Sequence, residues 1–395
     1  MLHLLATSLL AVSCVGLALL LVQLVSLRRH LRERPRAPRR LPGVSVLKPL
    51  CGLDDDLARH LQRFATIDYP EYELLLGVKD AFDPAFPVAC AVARRFPSHV
   101  RVLVQRGEPG LNPKVNQLST LARAARHDIV VVSDSNVTVG ADYLHDIAAH
   151  LADREVGLVT HPVAGIGEQK LGALLDNLHL SGSVGPGMVG AKRVGGKDVV
   201  VGKSMALRRS DLARLGGFEA FANVLAEDYV IGKEVARTLG KRVAIANTPV
   251  WNVSRRRSVR EFVARYRRWS VIHRQAVGLL VYACEPLLNP TAFASLAFLV
   301  HPSQPMLLAL FAVVFLRSLL DGATGSSLRR ERFSFEQLLA VPLKDWLLFF
   351  AWVHGLLANH VEWRSNKLRV LAGTVLALPE EPPVEPDGAL VEDAA

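Results

Sequence analysis

Cysteine is scarce and scattered in this chain of 395 residues: Cys14, Cys51, Cys90 and Cys284 lie far apart, with no C-x-x-C pair. Neither a zinc knuckle nor a disulfide framework is indicated, and a reducing compartment fits such usage. Charge is absent from Met1 to Leu27, a stretch without Lys, Arg, Asp or Glu. A phosphate-binding fingerprint is missing as well. Gly185, Gly187, Gly190, Gly195 and Gly196 cluster, but their spacing matches neither the dinucleotide motif nor the P-loop, so a flexible loop is expected there. The chain shows no nucleic-acid module and no internal repeat.

What the chain does have is apolar sequence at both ends and charge between them. Half of its residues are hydrophobic, its formal net charge is +10, and its isoelectric point is about 9.7. That balance suits nucleic acid, anionic lipid or a phosphate-bearing substrate. Arginines crowd just after the first apolar run and again between Arg255 and Arg274, both times beside hydrophobic sequence. A membrane surface is therefore favoured over nucleic acid. The uncharged run is long enough to cross a bilayer as a helix. A signal peptide is disfavoured, because a basic leader and a small-residue cleavage site are missing. Arg28, Arg29, Arg32, Arg34, Arg36, Arg39 and Arg40 follow; a flank of this kind stays cytoplasmic, so an integral membrane protein facing the cytosol is expected. Pro35, Pro38 and Pro42 make residues 28–42 a stiff, non-helical linker.

From Gly43 the pattern alternates between strand and helix. Val44–Leu47, Leu74–Val78, Val100–Val104 and Ile129–Val132 are short apolar runs suited to a buried parallel sheet, and helical segments near Asp54–Thr66, Pro84–Phe96 and Lys114–Arg126 separate them. An α/β sheet follows, and such sheets bind ligands at the carboxyl ends of their strands. Polar residues collect at those ends: Lys48 after the first strand, Asp80 and Asp83 after the second, Asp134 after the fourth. The carboxylates are suited to a nucleobase or ribose and to a metal on a diphosphate, although Asp at a strand end is also a common turn or cap residue. Lys114 and Asn116, after the third strand, are either substrate contacts or a plain helix start. Val199–Leu207 reads as a strand, with Gly202 and Ser204 placed to line a sugar pocket; Asp211–Leu215 reads as a short helix and Gly216-Gly217-Phe218 as a tight turn before Glu227-Asp228.

Between Ser258 and Val277, apolar residues recur at Val259, Phe262, Val263, Tyr266, Trp269 and Ile272 with helical spacing. Arg265, Arg268 and Trp269 then share an edge, either converging on an anion or lying on anionic lipid. Further on, Thr291–Leu299 and Met306–Leu320 flank His301-Pro302-Ser303-Gln304-Pro305 and form a kinked span or a re-entrant hairpin, and Leu338–Ala358 is another candidate that carries Lys344 and Asp345. The acidic, proline-rich residues from Pro379 to Ala395 read as disordered. The domain reading is a membrane helix at 1–27, a linker at 28–42, a catalytic domain at 43–257, an amphipathic interfacial helix at 258–285, membrane segments at 286–360, and a partly disordered cytosolic tail at 361–395. His161, His179 and His273 stay outside the catalytic set, because isolated histidines are usually structural.

Val44-Ser45-Val46-Leu47-Lys48-Pro49-Leu50, Asn112-Pro113-Lys114-Val115-Asn116, Ser133-Asp134-Ser135, Ala226-Glu227-Asp228-Tyr229 and Arg265-x-x-Arg268-Trp269 occur in this order. As a set they resemble the ceramide glucosyltransferase family; the last motif alone also recurs in cellulose, chitin and hyaluronan synthases. The resemblance implies an inverting, membrane-anchored glycosyltransferase of the GT-A (Rossmann-like) type that uses a nucleotide-activated sugar, usually UDP-glucose, a ceramide acceptor and a divalent cation, Mg²⁺ or Mn²⁺. It assigns Asp83, with Asp80 nearby, to the nucleotide, Asp134 to metal and diphosphate, Asp228 to the catalytic base, and Arg265, Arg268 and Trp269 to the closing motif. Asn136 stands where a strict Asp-x-Asp would have its second carboxylate, and Arg265 where processive synthases commonly carry glutamine. Rival readings are transfer to a hopanoid or diacylglycerol, a processive polysaccharide synthase, and a membrane protein that binds sugar nucleotides without catalysis. Arg and Ala richness hints at a bacterial source, for which the membrane would be the inner one.

Overall fold

The computed structural model of the chain describes residues 1–363 and 366–378. It opens with α1 (Leu2–Arg32), then alternates β1 (Val44–Pro49), α2 (Leu57–Ala65), β2 (Tyr72–Val78), α3 (Ala85–Arg95), β3 (Val100–Val104), α4 (Pro113–Ala124) and β4 (Ile129–Ser133). The apolar runs and the strands coincide within two residues. β1 pairs in parallel with both β2 and β4, and all six of its residues are buried. A strand covered on both faces needs an unbroken apolar run, which is how Val44–Leu47 reads.

The chain continues through β5 (Val137–Thr138), α5 (Tyr143–Leu151), β6 (Val156–Thr160), β7 (Val163–Ile166), α6 (Leu171–His179), α7 (Gly185–Arg193), β8 (Ser204–Arg208), α8 (Arg209–Arg214), α9 (Glu227–Leu239), β9 (Arg242–Ile245) and β10 (Val250–Val253). The main sheet has the order β3-β2-β1-β4-β8-β6-β9. β8 runs antiparallel to both of its neighbours, so its first residues lie beside the carboxyl ends of β4 and β6. One apolar core, built on Val44, Val46 and Leu74 with Phe64 and Ile147, fills one face of the sheet. A second, built on Leu47, Leu75 and Leu118 with Phe218 and Ile231, fills the other. Sheet β5-β10-β7 sits at the rim.

Of the glycine cluster, Gly195 and Gly196 lie in the loop the sequence suggests, but Gly185, Gly187 and Gly190 are helical. Helical structure is continuous from Leu171 to Arg193, with a π-helical turn at Leu180–Val184 joining α6 to α7. Close packing is the reason for glycine here: a Cβ on Gly190 would stand 2.8 Å from Gln23 Cγ of α1.

Beyond the sheets come α10 (Val259–Val277), α11 (Leu279–Cys284), α12 (Pro290–Val300), α13 (Gln304–Leu328), α14 (Phe335–Leu338) and α15 (Val341–Leu357). Among the described residues, Leu2–Arg32, Gln304–Leu328 and Phe335–Leu357 are long and apolar enough to cross a membrane, and Leu279–Leu288 with Pro290–Val300 forms a pair bent by 76°. The chain turns at His301–Pro305 as its prolines suggest, but the bent pair lies upstream of it. Helix α1 runs five residues into the basic stretch read as a linker, ending at Arg32. The tail assignment for 361–395 needs correction in its described part: β11 (His360–Trp363), β12 (Asn366–Val370) and β13 (Leu376–Ala377) form an antiparallel sheet. Strands this short carry too little periodicity to be read, and Val361, Leu368, Val370 and Leu376 are ordered by packing on Leu225 and Val271. Residues 379–395, read as disordered, lie outside the described residues.

Lys344 and Asp345, which weaken the last apolar segment as a span, are buried in an ion network. Arg317 and Lys344 both engage Asp321, Arg317 Nε lies 3.3 Å and Lys344 Nζ 3.2 Å from Asp345, and Thr291 donates to Asp345 at 2.6 Å. Two cations and two anions cancel, which makes the burial tolerable. Asp321→Ala leaves two cations facing one carboxylate and is expected to cost about 3–5 kcal/mol, read as a lower thermal midpoint of the detergent-solubilised protein.

Candidate active site

At the carboxyl ends of the parallel strands the side chains form a linked series. Asn112 caps α4, accepting from the Lys114 and Val115 amides, with Pro113 in the first helical position where a missing N–H costs nothing. That start projects Lys114 inward. Its ammonium lies 3.0 Å from Asp134 Oδ1 and 2.8 Å from Glu227 Oε1. Lys203, just ahead of β8, takes the other oxygen of Asp134 at 3.0 Å and donates to Asn136 Oδ1 at 3.0 Å. Burial would raise the Asp134 carboxyl, but Lys114 and Lys203 outweigh it and hold the group well below the usual carboxylate range. Burial likewise opposes the charge on Lys114, and the carboxylates of Asp134, Glu227 and Asp228 more than reverse that effect.

Asp228 is treated differently by its surroundings. Its Oδ2 accepts the Gly202 amide, and its Oδ1 accepts the Tyr229 amide at 2.9 Å. A Cβ at Gly202 would stand 2.7 Å from Oδ2, so this contact requires glycine. Burial and the neighbouring Glu227 carboxylate push the Asp228 carboxyl up to about 6, against the pull of Lys114. One linked cluster therefore holds a carboxylate fixed in its ionised form and another raised toward neutrality.

The series extends toward the edge of the sheet. Ser135 donates to Asp54, and Asp83 Oδ1 accepts from Gly52 at 2.9 Å and from Ala85 at 2.8 Å, tying the loop after β2 to the loop after β1. Asp80 closes a turn on the Phe82 amide at 2.8 Å. Lys48 is fully buried: its ammonium donates to the Asp134 carbonyl at 2.7 Å and to Ser133 at 3.3 Å, and lies 3.8 Å from the centre of the Phe64 ring. Burial lowers Lys48 to about 7. It braces the Asp134 loop from beneath. A polar hollow of about 230 Å³ lies on the Asn136 side, lined by Asp54, Asp55, Ser254, Arg256 and Arg257 among others.

Three residues read as substrate contacts are used otherwise: Lys48, buried beneath the Asp134 loop as above, and two more. The Asn116 side chain both accepts from and donates to Gly110, at 3.2 and 2.8 Å, which fixes the loop before α4. Ser204 Oγ points into the core, bonded to Tyr143 at 2.7 Å and His161 Nδ1 at 3.0 Å. Strand position was the whole basis for Ser204, and alternation along β8 turns it inward.

Helix α10 begins with a capping box between Ser258 and Glu261 and packs against α6 and α15, so it is no isolated surface helix. Asp176 of α6, fully buried, organises it: Arg257 lies at 2.8 Å, Tyr266 donates at 2.7 Å, and Arg265 Nε lies at 3.6 Å. The Arg265 guanidinium stands 4.5 Å from the Trp269 ring, and its Nε and Nη2 are buried without a hydrogen-bond partner. Asp134 is within its electrostatic reach. Arg268 and Trp269 are half-buried beside it. Buried, unmatched guanidinium donors of this kind suit an anion.

Lys203 and Asp176 escaped the sequence reading, and Glu227 and Asn112 were quoted in its motifs without a role. Lys203 and Glu227 adjoin residues already singled out, so their neighbours were the available signal; Asp176 sits in an apolar helix with none. His161 and His179 are interior, pushed by burial to about 4 and about 3 and so neutral, and His273 pairs with Glu285 at the surface.

Among the described residues no group of three or more His, Cys, Asp or Glu could cage a metal ion. A divalent cation completed by substrate phosphates still fits. Mg²⁺ commonly takes one carboxylate plus phosphate oxygens, and both Asp134 oxygens already attract cationic charge, with the Asn136 amide oxygen alongside.

The chain is similar to two ceramide glucosyltransferases of Caenorhabditis elegans, one 28% identical over 92% of this chain and 81% of the relative, the other 30% identical over 94% and 82%. Among solved structures it is similar to a mannosyltransferase from Pyrobaculum calidifontis in complex with GDP-Man and Mn²⁺, with a TM-score of 0.52 and 19% identity over 90% of this chain and 99% of the other, a likeness of fold. Residues 8–376 match glycosyl transferase family 21, and the chain belongs to that family.

Proposed function

We propose that this protein is a membrane-bound inverting glycosyltransferase that moves glucose from UDP-glucose to the hydroxyl of ceramide, yielding a glycosphingolipid. One observation carries the chemistry: a single crevice holds Asp134, kept ionised beside two ammonium groups, and Asp228, lifted to about 6. Two carboxylates driven apart in this way mark a division between binding charge and moving a proton. The substrates rest on the relatives' names and on their coverage of more than nine-tenths of this chain.

Asp83 and the loop it ties to Gly52 form the edge where the uridine would lie. Lys114, Lys203, Arg265 and Arg268 surround the place of the diphosphate, and charge building on the departing UDP is stabilised by groups already oriented toward it. A divalent cation held at Asp134 would add Lewis-acid neutralisation of that leaving group. On the opposite face of the sugar, Asp228 takes the proton of the acceptor hydroxyl as the oxygen attacks the anomeric carbon. The Gly202 and Tyr229 amides fix its carboxylate plane, so little reorganisation is left for the reactive moment. Attack opposite the leaving group inverts the anomeric centre. The acceptor reaches the crevice from the cytosolic leaflet, consistent with the arginines that follow α1.

Membranes containing the protein, incubated with a panel of labelled UDP-sugars and ceramide and then extracted for mass spectrometry, should give a glucosylated ceramide; a panel without any glycosylated ceramide defeats the proposal. Asp228→Asn should bind UDP-glucose and keep its thermal midpoint while losing about 10²–10⁴ in turnover, the range of a general base. Undiminished turnover would remove Asp228 from the mechanism. Because the base works ionised, kcat/KM should fall about tenfold per pH unit below about 6, where Asp228 is protonated, and level off above it. An acidic limb centred near 4 would contradict the raised carboxyl.

A further inference from the structure

The N-terminus of α9 is where Glu227 and Asp228 are placed, and it has no capping side chain of its own: its N-cap is Ala226. The chain before it, residues 223–226, is held instead from the C-terminal sheet. Leu225 donates its amide to the Thr374 carbonyl at 2.9 Å, and Ala226 donates its amide to Thr374 Oγ1 at 3.3 Å. Leu376 donates to the Asn223 carbonyl at 2.7 Å, and Val224 and Val375 form an isolated β-bridge. Leu225 is packed against Leu376, Val370 and Val271 in one apolar cluster.

Thr374 is an unusual residue for such a place. It is fully buried and has φ of 61°, directly after Gly373 at 71°. A β-branched residue in the left-handed region is a genuine outlier, because its branched side chain crowds its own backbone there. Such strain persists only where surrounding contacts over-determine it, and it gathers at functional sites. Closing the turn between β12 and β13 would ask only for glycine or asparagine at this position. The hydroxyl and carbonyl that the strain presents are both used by the residues immediately before Glu227-Asp228.

We infer that Thr374 is a positioning residue for Asp228, holding the chain before α9 so that the carboxylate stays against Gly202 and faces the acceptor. The same short segment touches α10, which carries Arg265 and Arg268. The chain before Asp228 and the helix that carries these arginines thus meet at one short segment. This inference rests on Asp228 acting as the base.

The test uses the full-length protein in detergent or nanodiscs. Thr374→Val is nearly isosteric and loses only the hydroxyl acceptor; kcat should fall about tenfold, the scale of a modest misplacement. The KM for UDP-glucose should stay within about twofold, and the acidic limb of the kcat/KM profile should move to lower pH as water reaches the loosened carboxylate. Thr374→Ser should restore both. If Thr374→Val does not fold, Thr374→Gly is read in its place, since glycine takes the left-handed backbone freely and also lacks the hydroxyl. Wild-type kcat and an unmoved acidic limb in the hydroxyl-lacking variant overturn the inference, as does a parallel loss of kcat, KM and thermal midpoint, which would mark a purely structural residue. Asp228→Asn is assayed alongside. If it is inactive while the Thr374 variants are normal, only this inference falls; if it turns over, the base assignment falls with it.

Discussion

The ammonium of Lys114 sits between two carboxylates that the chain supplies from distant places, Asp134 after β4 and Glu227 at the start of α9. Taking a cation this far out of water costs several kcal/mol, offset only where oppositely charged partners meet it with good geometry. The three groups therefore constrain one another. Asp134 cannot leave the strand ends, α9 cannot drift from α4, and Asp228, next to Glu227, is carried into the crevice by the same bond. Lys48 and Lys203 reinforce the arrangement, one on the backbone and one on the side chain of the Asp134 loop. The resulting alternation of charge lets one carboxylate be stabilised as an anion while another, next in sequence to the lysine's second partner Glu227, is destabilised as one.

The membrane part solves the same problem by neutrality alone. Arg317, Asp321, Lys344 and Asp345 balance among themselves, and Arg317 Nη2 reaches Ser183 in the π-helical turn at 3.3 Å. That turn lies against β7 and α13, so polar contacts join the apolar helices to the sheet domain alongside the apolar cluster of Leu27, Leu328, Ala164 and Trp251. In a lipid environment apolar packing discriminates little between neighbours, whereas satisfied polar groups do. The network specifies which helices meet and at what depth.

The parallel half of the sheet was legible because each of its strands is short, apolar and bounded by turn residues, and because such sheets present their ends to ligands. Asp83, Asp134 and Asp228 were singled out by that logic together with the motif order, and contacts from Gly52 to Gly202 link the loops that bear them. Ser204 and Asn116 were misread for a common reason. Spacing gives the strand or helix, but the direction of one side chain depends on register and on which backbone groups nearby lack partners. The strands after Asn359 and the helix through the glycine cluster were hidden because neither is stabilised locally: Leu376 is ordered by Leu225, about 150 residues earlier, and α7 by its close approach to α1.

Helix α10 is what makes the membrane and the crevice a single device. One side of it, with Phe262 and Tyr266, packs against Leu175 of α6 and Ala351 of α15, and so against both the sheet domain and a candidate span. Asp176 then draws Arg257, Tyr266 and Arg265 toward α6, with the Arg265 guanidinium still in electrostatic reach of Asp134. A helix anchored this way keeps the proposed diphosphate site at a constant height above the last apolar segment. An acceptor whose own depth is set by its acyl chains needs that constancy, because its hydroxyl can be presented only at the bilayer surface. Fixing the arginine helix between the two parts, rather than on a flexible arm, turns the reaction of a soluble donor with a membrane-bound acceptor into one with a defined geometry.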